Sequence, residues 1–134
     1  MTITTQPRPD LEAHAHAVRA DFATVADELR RVLGARLSAY IGGVKETRAV
    51  HEWAEGGRQP SETTQRRLRT ALQVAKMIER VDGPEVAQAW FQGLNPQLDD
   101  RSPARLLREG DLDEVGPLVI AAARAFLVGG RAAR

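Results

Sequence analysis

The sequence predicts an all-α protein, and three observations predict it. Apolar residues recur at three- and four-residue steps through most of the chain, the spacing of one helix face. β-branched residues are scattered and no run alternates apolar with polar, so no strand is expected. The periodic segments are interrupted at Gly and Pro, where helices stop and start: Gly34, Gly42-Gly43, Gly56-Gly57 with Pro60, Gly83-Pro84, Asn95-Pro96, Ser102-Pro103 and Gly110.

Taken in order, Met1 to Pro9 is polar and carries Pro7 and Pro9, which block helix, so it reads as a disordered arm. Asp10 is a candidate N-cap for a helical pattern running from Leu11 to Leu33, broken near Ala20-Asp21. Phe22, Val25, Ala26, Leu29, Val32 and Leu33 form its stripe, and Gly34 stops it. Leu33 to Gly56, LGARLSAYIGGVKETRAVHEWAEG, reads as two short helices joined at Gly42-Gly43. Leu37, Tyr40 and Ile41 give the first an apolar side, and Val44, Ala49, Val50 and Trp53 recur at helical spacing in the second. Gly takes positive φ without steric cost, so the pair lets the chain reverse tightly.

After the loop Gly56 to Pro60, Ser61 caps a helix reaching about Arg80, with Leu68, Ala71, Leu72, Ala75 and Ile78 on one face and Arg66, Arg67, Arg69, Gln73 and Lys76 on the other. Pro84 opens a short helix through Ala89, Trp90 and Phe91. Leu94 to Arg101 is a loop, and Ser102-Pro103 opens another short helix closed by Gly110. Asp111 with Glu114 has the form of a capping box for a last helix to Val128, with Pro117 tolerated in its first turns. That helix is apolar nearly all round, Arg124 being its only charge after the first turn. Such a helix needs burial on most sides, part of it against a partner chain. Gly129-Gly130-Arg131-Ala132-Ala133-Arg134 reads as a mobile basic tail.

With 134 residues the chain makes one domain or two small ones. It has no cysteine, which excludes disulfides and thiolate metal sites and suits a reducing compartment. No apolar run approaches the about 20 residues of a membrane span, and the polar start is no signal peptide, so a cytoplasmic protein with no membrane partner is expected. The net charge of +1 conceals an uneven distribution. Glu28 to Arg80 carries eleven Lys/Arg against six Asp/Glu, while each flank is net acidic. A basic middle is the electrostatic footprint of a phosphate-facing surface.

That basic middle contains the two-helix segment, whose spacing turns Lys45, Thr47, Arg48, His51 and Glu52 away from its apolar side. This is the sequence shape of a helix-turn-helix, whose second helix enters the DNA major groove. The plainer alternative is an αα-hairpin with a solvated face. If the motif binds DNA, Thr47, Arg48 and His51 face the bases, with Lys45 and Arg58 on phosphates and Arg66 reaching the backbone from the long helix. Arg48 leads, because Arg to guanine is the commonest specific contact.

Ala89 to Gly110, AWFQGLNPQLDDRSPARLLREG, resembles the toxin-binding segment of Xre/MbcA/ParS-type antitoxins. The family pattern appears as Trp90, Asn95-Pro96, Leu98, Ser102-Pro103, Leu106-Leu107 and Gly110, followed by an amphipathic C-terminal helix. The upstream AYIGGVKETRAVHEWAEGGRQP resembles the Xre-like helix-turn-helix that precedes it, so the likeness covers about Val25 to Gly130. It implies a DNA-binding domain over 23–80 and a small helical toxin-binding domain over 81–134, which leaves an N-terminal arm and helix over 1–22. It also implies a cognate toxin, commonly RES-type and NAD-consuming, whose active-site cleft the antitoxin's last residues obstruct, and repression of the pair's own operator. Carried over, Trp90, Leu106 and Leu107 shape the platform, and Phe126, Gly129, Gly130, Arg131 and Arg134 belong to the occluding end. Two departures stand out: the turn is about one residue longer than the tightest helix-turn-helix register, and Met1 to Ala20 lacks a counterpart in the shortest members.

Trp90 and Trp53 read first as core residues, since large aromatics dominate burial. Ser102 and Pro103 read first as a cap and first turn. His14 and His16 stand two apart, diverge on a helix and lack a third ligand, so no metal is expected. No activated nucleophile and no phosphate-binding Gly loop accompany His51, so no enzyme and no cofactor is expected. Helix-turn-helix proteins read paired half-sites, which favours a homodimer. The competing expectation is a stand-alone transcriptional regulator whose C-terminal domain only oligomerises. A scaffold that has lost DNA binding is a third.

Overall fold

A computed structural model describes residues 10–13 and 21–133, with 130–133 described by backbone only. The disordered arm expected over Met1 to Pro9, the His14/His16 pair and Arg134 lie outside the described residues. The fold is all-α: among the described residues there is no strand, only an isolated bridge between Asn95 and Arg101.

Local chemistry sets each boundary. α1, Phe22–Val32, starts where the Asp21 carboxylate accepts from the Thr24 N–H at 3.0 Å and stops at Gly34, whose φ of 88° no residue with a side chain takes cheaply. α2, Ala35–Gly42, ends in a Schellman arrangement: the Gly43 N–H donates to the Tyr40 carbonyl and the Val44 N–H to the Ala39 carbonyl, with Gly43 left-handed. α3, Thr47–Ala54, begins only after Glu46, which is extended. Val44, expected inside this helix, therefore sits in the turn and packs against the core as the apolar residue that follows a Schellman cap. Four residues separate α2 from α3, Gly43 to Glu46.

α4, Glu62–Asp82, begins at Ser61, whose Oγ accepts from the Thr64 N–H. It is the central helix. Leu68, Ala71, Leu72, Val74, Ala75, Met77 and Ile78 are all buried, and so is Gln73, which was expected on an open polar face. The physical reason is that α1, α2, α5, α6 and α7 all pack around it, so it has no single solvent side. α5, Pro84–Gln92, follows Gly83 directly, with Pro84 in its first turn. A 3₁₀ turn, Pro96–Leu98, is capped by the Asn95 carboxamide. Asp99 and Asp100 are both left-handed there and the Asn95–Arg101 bridge closes the loop, so this segment is a fixed platform.

Ser102 and Pro103 are the cap and first turn of α6, Pro103–Glu109. Gly110 is required: a Cβ there would lie 2.6 Å from Val115 Cγ1 and 2.9 Å from the Leu106 carbonyl oxygen. α7, Leu112–Ala133, is 22 residues long, about 33 Å at 1.5 Å per residue. Asp111 caps it through the Asp113 N–H at 3.1 Å, and no return bond from Glu114 completes a capping box among the described residues.

Two expectations at the chain ends need correcting. The Gly129 to Ala133 stretch expected as a mobile tail continues α7. Each Gly costs about 1 kcal/mol against Ala, yet extending an existing helix avoids the costly nucleus, and Ala132-Ala133 favour it. Asp10, expected as a cap, lies within helical backbone, and its carboxylate takes the Arg124 guanidinium of α7 at 3.1 Å.

The apolar core is one cluster running from Ala13 to Leu127, continuous across residue 80. Phe22 meets Trp53 edge-on at 5.9 Å, and Gly42 brings α2 close to Leu68 and Trp53, where a Cβ would be 3.3 Å from Leu68 Cδ1. Polar ties cross the same line: Gln88 donates to the Val32 carbonyl and Arg108 to the Tyr40 carbonyl.

Candidate functional site

Two surfaces stand out, at the α2–turn–α3 hairpin and at the α5–α7 end. On α3, Ala49, Val50 and Trp53 are buried, which turns Thr47, Arg48, His51, Glu52 and Glu55 outward. These exposed side chains are largely paired within the chain. The Glu52 carboxylate accepts from Arg48 Nε at 3.1 Å and from Arg58 Nη1 at 3.3 Å. His51 Nδ1 lies 3.0 Å from Arg30 Nη1 of α1. A guanidinium only donates, so Nδ1 is the acceptor and the ring proton of this contact's tautomer is on Nε2. Arg66, expected beside them, instead pairs with Asp113 of α7 at 2.8 Å. Lys45 is exposed in the turn and has no partner among the described residues.

A cleft of about 670 Å³ lies where the hairpin meets α6. Lys45, Thr47 and Arg48 line it from the turn and α3, Arg36 and Tyr40 from α2, and Arg108 from α6. Tyr40 was expected on the apolar side of its helix but is 37% exposed. Its ring carries the Arg108 guanidinium at 4.6 Å from the centroid, a cation–π contact that keeps it at the surface. Arg36 and Arg108 were not singled out from the sequence. Nothing in a helical period says that residue 108 will lie against residue 40. Nearby, Arg105 of α6 is held protonated above its ordinary range by its hydrogen bond to the Glu109 carboxylate.

At the other surface, Trp90 is 8% exposed, edge-on to Phe91 at 5.3 Å and tilted against Phe126 at 6.4 Å. Its indole Nε1 is buried and has no hydrogen-bond partner. Trp90 forms the floor of a groove of about 360 Å³, with Leu94 to Gln97 on one wall and Ala125 and Phe126 on the other. Leu106 and Leu107, expected to shape the same platform, are buried in the core and do not line this groove. Along α7 one face packs inward through Val119, Ala122, Ala123 and Leu127, and the opposite face exposes Leu118, Ala121, Ala125 and Val128, interrupted by Arg124, which pairs with Asp10. Leu94 is 75% exposed, Val128 66% and Leu118 51%. The sequence signal for Leu118 and Val128 was the all-round apolarity of the helix. For Leu94, a lone apolar residue in a loop, there was none.

Of the expected occluding residues, Phe126 borders the groove and Gly129 is exposed on α7, with open space around its Cα. Gly130 and Arg131 continue the helical backbone. Among the described residues no cluster of three or more His, Cys, Asp or Glu could hold a metal. No described helix is long and apolar enough to cross a membrane.

Compared with family models, curated proteins and solved structures, the chain matches none. Its function is therefore argued from the chemistry of the two surfaces.

Proposed function

We propose that the protein is the antitoxin of a type II toxin–antitoxin pair. Its C-terminal part binds a cognate toxin of the RES type, which consumes NAD, and the end of α7 obstructs the toxin's active-site cleft. Its hairpin, acting as a helix-turn-helix, binds the operator of its own operon and represses it. The protein works as a homodimer in the cytoplasm and is not an enzyme.

The observation that carries this reading is the uncovered apolar surface around the Trp90 groove. Leu94, Phe126 and Val128 lie in water at a cost of about 25 cal/mol per Å² that a partner would recover. Aromatic anchors beside such a groove have the composition of a binding hot spot. Support for the DNA-binding half is the cationic cleft against the turn. The same apolar face also fits a second copy of the chain, which is the stand-alone regulator reading.

Co-expression with the product of the adjoining gene separates the two. The antitoxin reading expects that product to be toxic alone, harmless with this protein, and co-purified with it. If the neighbour is harmless alone and the apolar face is covered in a homodimer, the regulator reading takes its place.

A further inference from the structure

Resting on the DNA-binding reading above, we infer that Arg108 and Arg36 complete the phosphate-gripping surface of the hairpin. The C-terminal half of the chain thus takes part in holding the DNA backbone. The cations of the hairpin differ in what they already touch. Arg48 and Arg58 share the Glu52 carboxylate, and Arg66 is bound to Asp113. Each must give up a carboxylate before it meets a phosphate. In the cleft the balance differs. Arg36 and Lys45 have no partner among the described residues. Arg108 donates to the Tyr40 carbonyl at 2.7 Å, a neutral acceptor that leaves its full positive charge in place. Three cations that no carboxylate holds, Arg36, Lys45 and Arg108, line the cleft beside the paired Arg48, against the single lining carboxylate of Glu46.

The Tyr40 stack also fixes where the Arg108 charge sits. A guanidinium held over a ring and tied to a carbonyl loses little rotamer freedom on binding an anion, which favours a preorganised phosphate contact. The cleft opens beside Lys45, Thr47 and Arg48 at the start of α3. If α3 enters the major groove, the phosphates flanking that groove run past this wall, where phosphate contacts set the register and orientation of the reading helix. The ligand class is the phosphodiester backbone of duplex DNA.

The test measures binding of the full chain to a random-sequence duplex between about 50 and 200 mM salt, where each neutralised phosphate contributes about 0.9 to the slope of log K against log salt. Arg108→Gln and Arg36→Gln should each flatten that slope by about 0.9, with the folded state monitored by thermal melting. Arg108→Lys keeps the charge and should restore the slope, which a purely structural role for Arg108 would not predict. Arg36 has no partner whose loss would disturb folding, so it carries the test if Arg108→Gln fails to fold. Arg80→Gln is the control. It sits 16 residues along α4 from Thr64, which bonds Gly42 beside the turn, and that is about 24 Å. Unchanged slopes in folded Arg36→Gln and Arg108→Gln overturn the inference and leave DNA binding intact. No duplex binding by the unaltered chain overturns both. Equal flattening in Arg80→Gln reduces the effect to net charge and also overturns the inference.

Discussion

The hairpin surface and the α7 surface resolve opposite problems in opposite ways. The hairpin is rich in charge and settles part of it internally: Glu52 takes Arg48 and Arg58, while Lys45 and Arg36 have no partner among the described residues. The α7 surface is rich in apolar area and settles none of it, leaving Leu118, Val128 and nearby Leu94 in solvent. A charge can find a neighbour within its own helix or loop, whereas an apolar face can be covered only by another layer of structure. The difference teaches which surface has more to gain from a partner. Paired ions surrender existing contacts when they bind, so their net return is small and salt-dependent. The uncovered apolar face surrenders only water.

The two surfaces share one core. Leu107 is fully buried on α6, the helix that contacts α2 on one side and α7 on the other. Leu107→Ala removes side-chain volume from the one core that carries both surfaces and should destabilise the fold by about 2–5 kcal/mol in urea unfolding. Operator and partner binding should weaken together. A variant that lost one and kept the other would mean that the two surfaces do not share this support.

Phe126→Ala separates the surfaces. Phe126 is partly exposed and leans on Trp90, so its loss should cost little stability. If the groove is a hot spot, affinity for the partner should fall by about 2 kcal/mol, roughly thirtyfold, in calorimetric titration. Binding to duplex DNA should stay the same. Unchanged partner affinity would move the contact elsewhere on α7.

The helical periods made most of the fold legible. The stripe from Phe22 to Leu33, the Ser61 start, the Pro84 and Ser102-Pro103 starts and the Gly110 stop are short-range features, and short-range chemistry decides them. What escaped was long-range. Gln73 and Lys76 looked like one polar face, but a helix at the centre of a small bundle has no single outside, and Gln73 is buried. Tyr40 looked like core because its spacing fits. Only the arrival of Arg108, 68 residues later, explains why its ring can remain at the surface. The expected base-facing residues do lie outward on α3, yet their pairing with Glu52 and Arg30 depends on loop and helix placement that periodicity does not encode. At the C-terminus two glycines argued for a tail, and the momentum of a long helix overrode them.

Glu52→Gln removes the carboxylate that Arg48 and Arg58 share and keeps the side chain's size. Glu52 is on the outer side of α3 and its two partners are well exposed, so stability should change by no more than about 0.5 kcal/mol. Two guanidiniums would then face solvent without a competing anion. If the hairpin meets DNA, the variant should bind a random duplex more tightly, and its log K against log salt should steepen by up to about 1.8, two phosphate contacts' worth. Discrimination between sequences should fall at the same time, because the Glu52 pairing also restrains Arg48, and a freed Arg accepts more than one base step. A variant with unchanged slope would show that Arg48 and Arg58 never reach the backbone. The cleft beside Tyr40, whose cations Arg36, Lys45 and Arg108 no carboxylate holds, would then be the whole of the electrostatic grip.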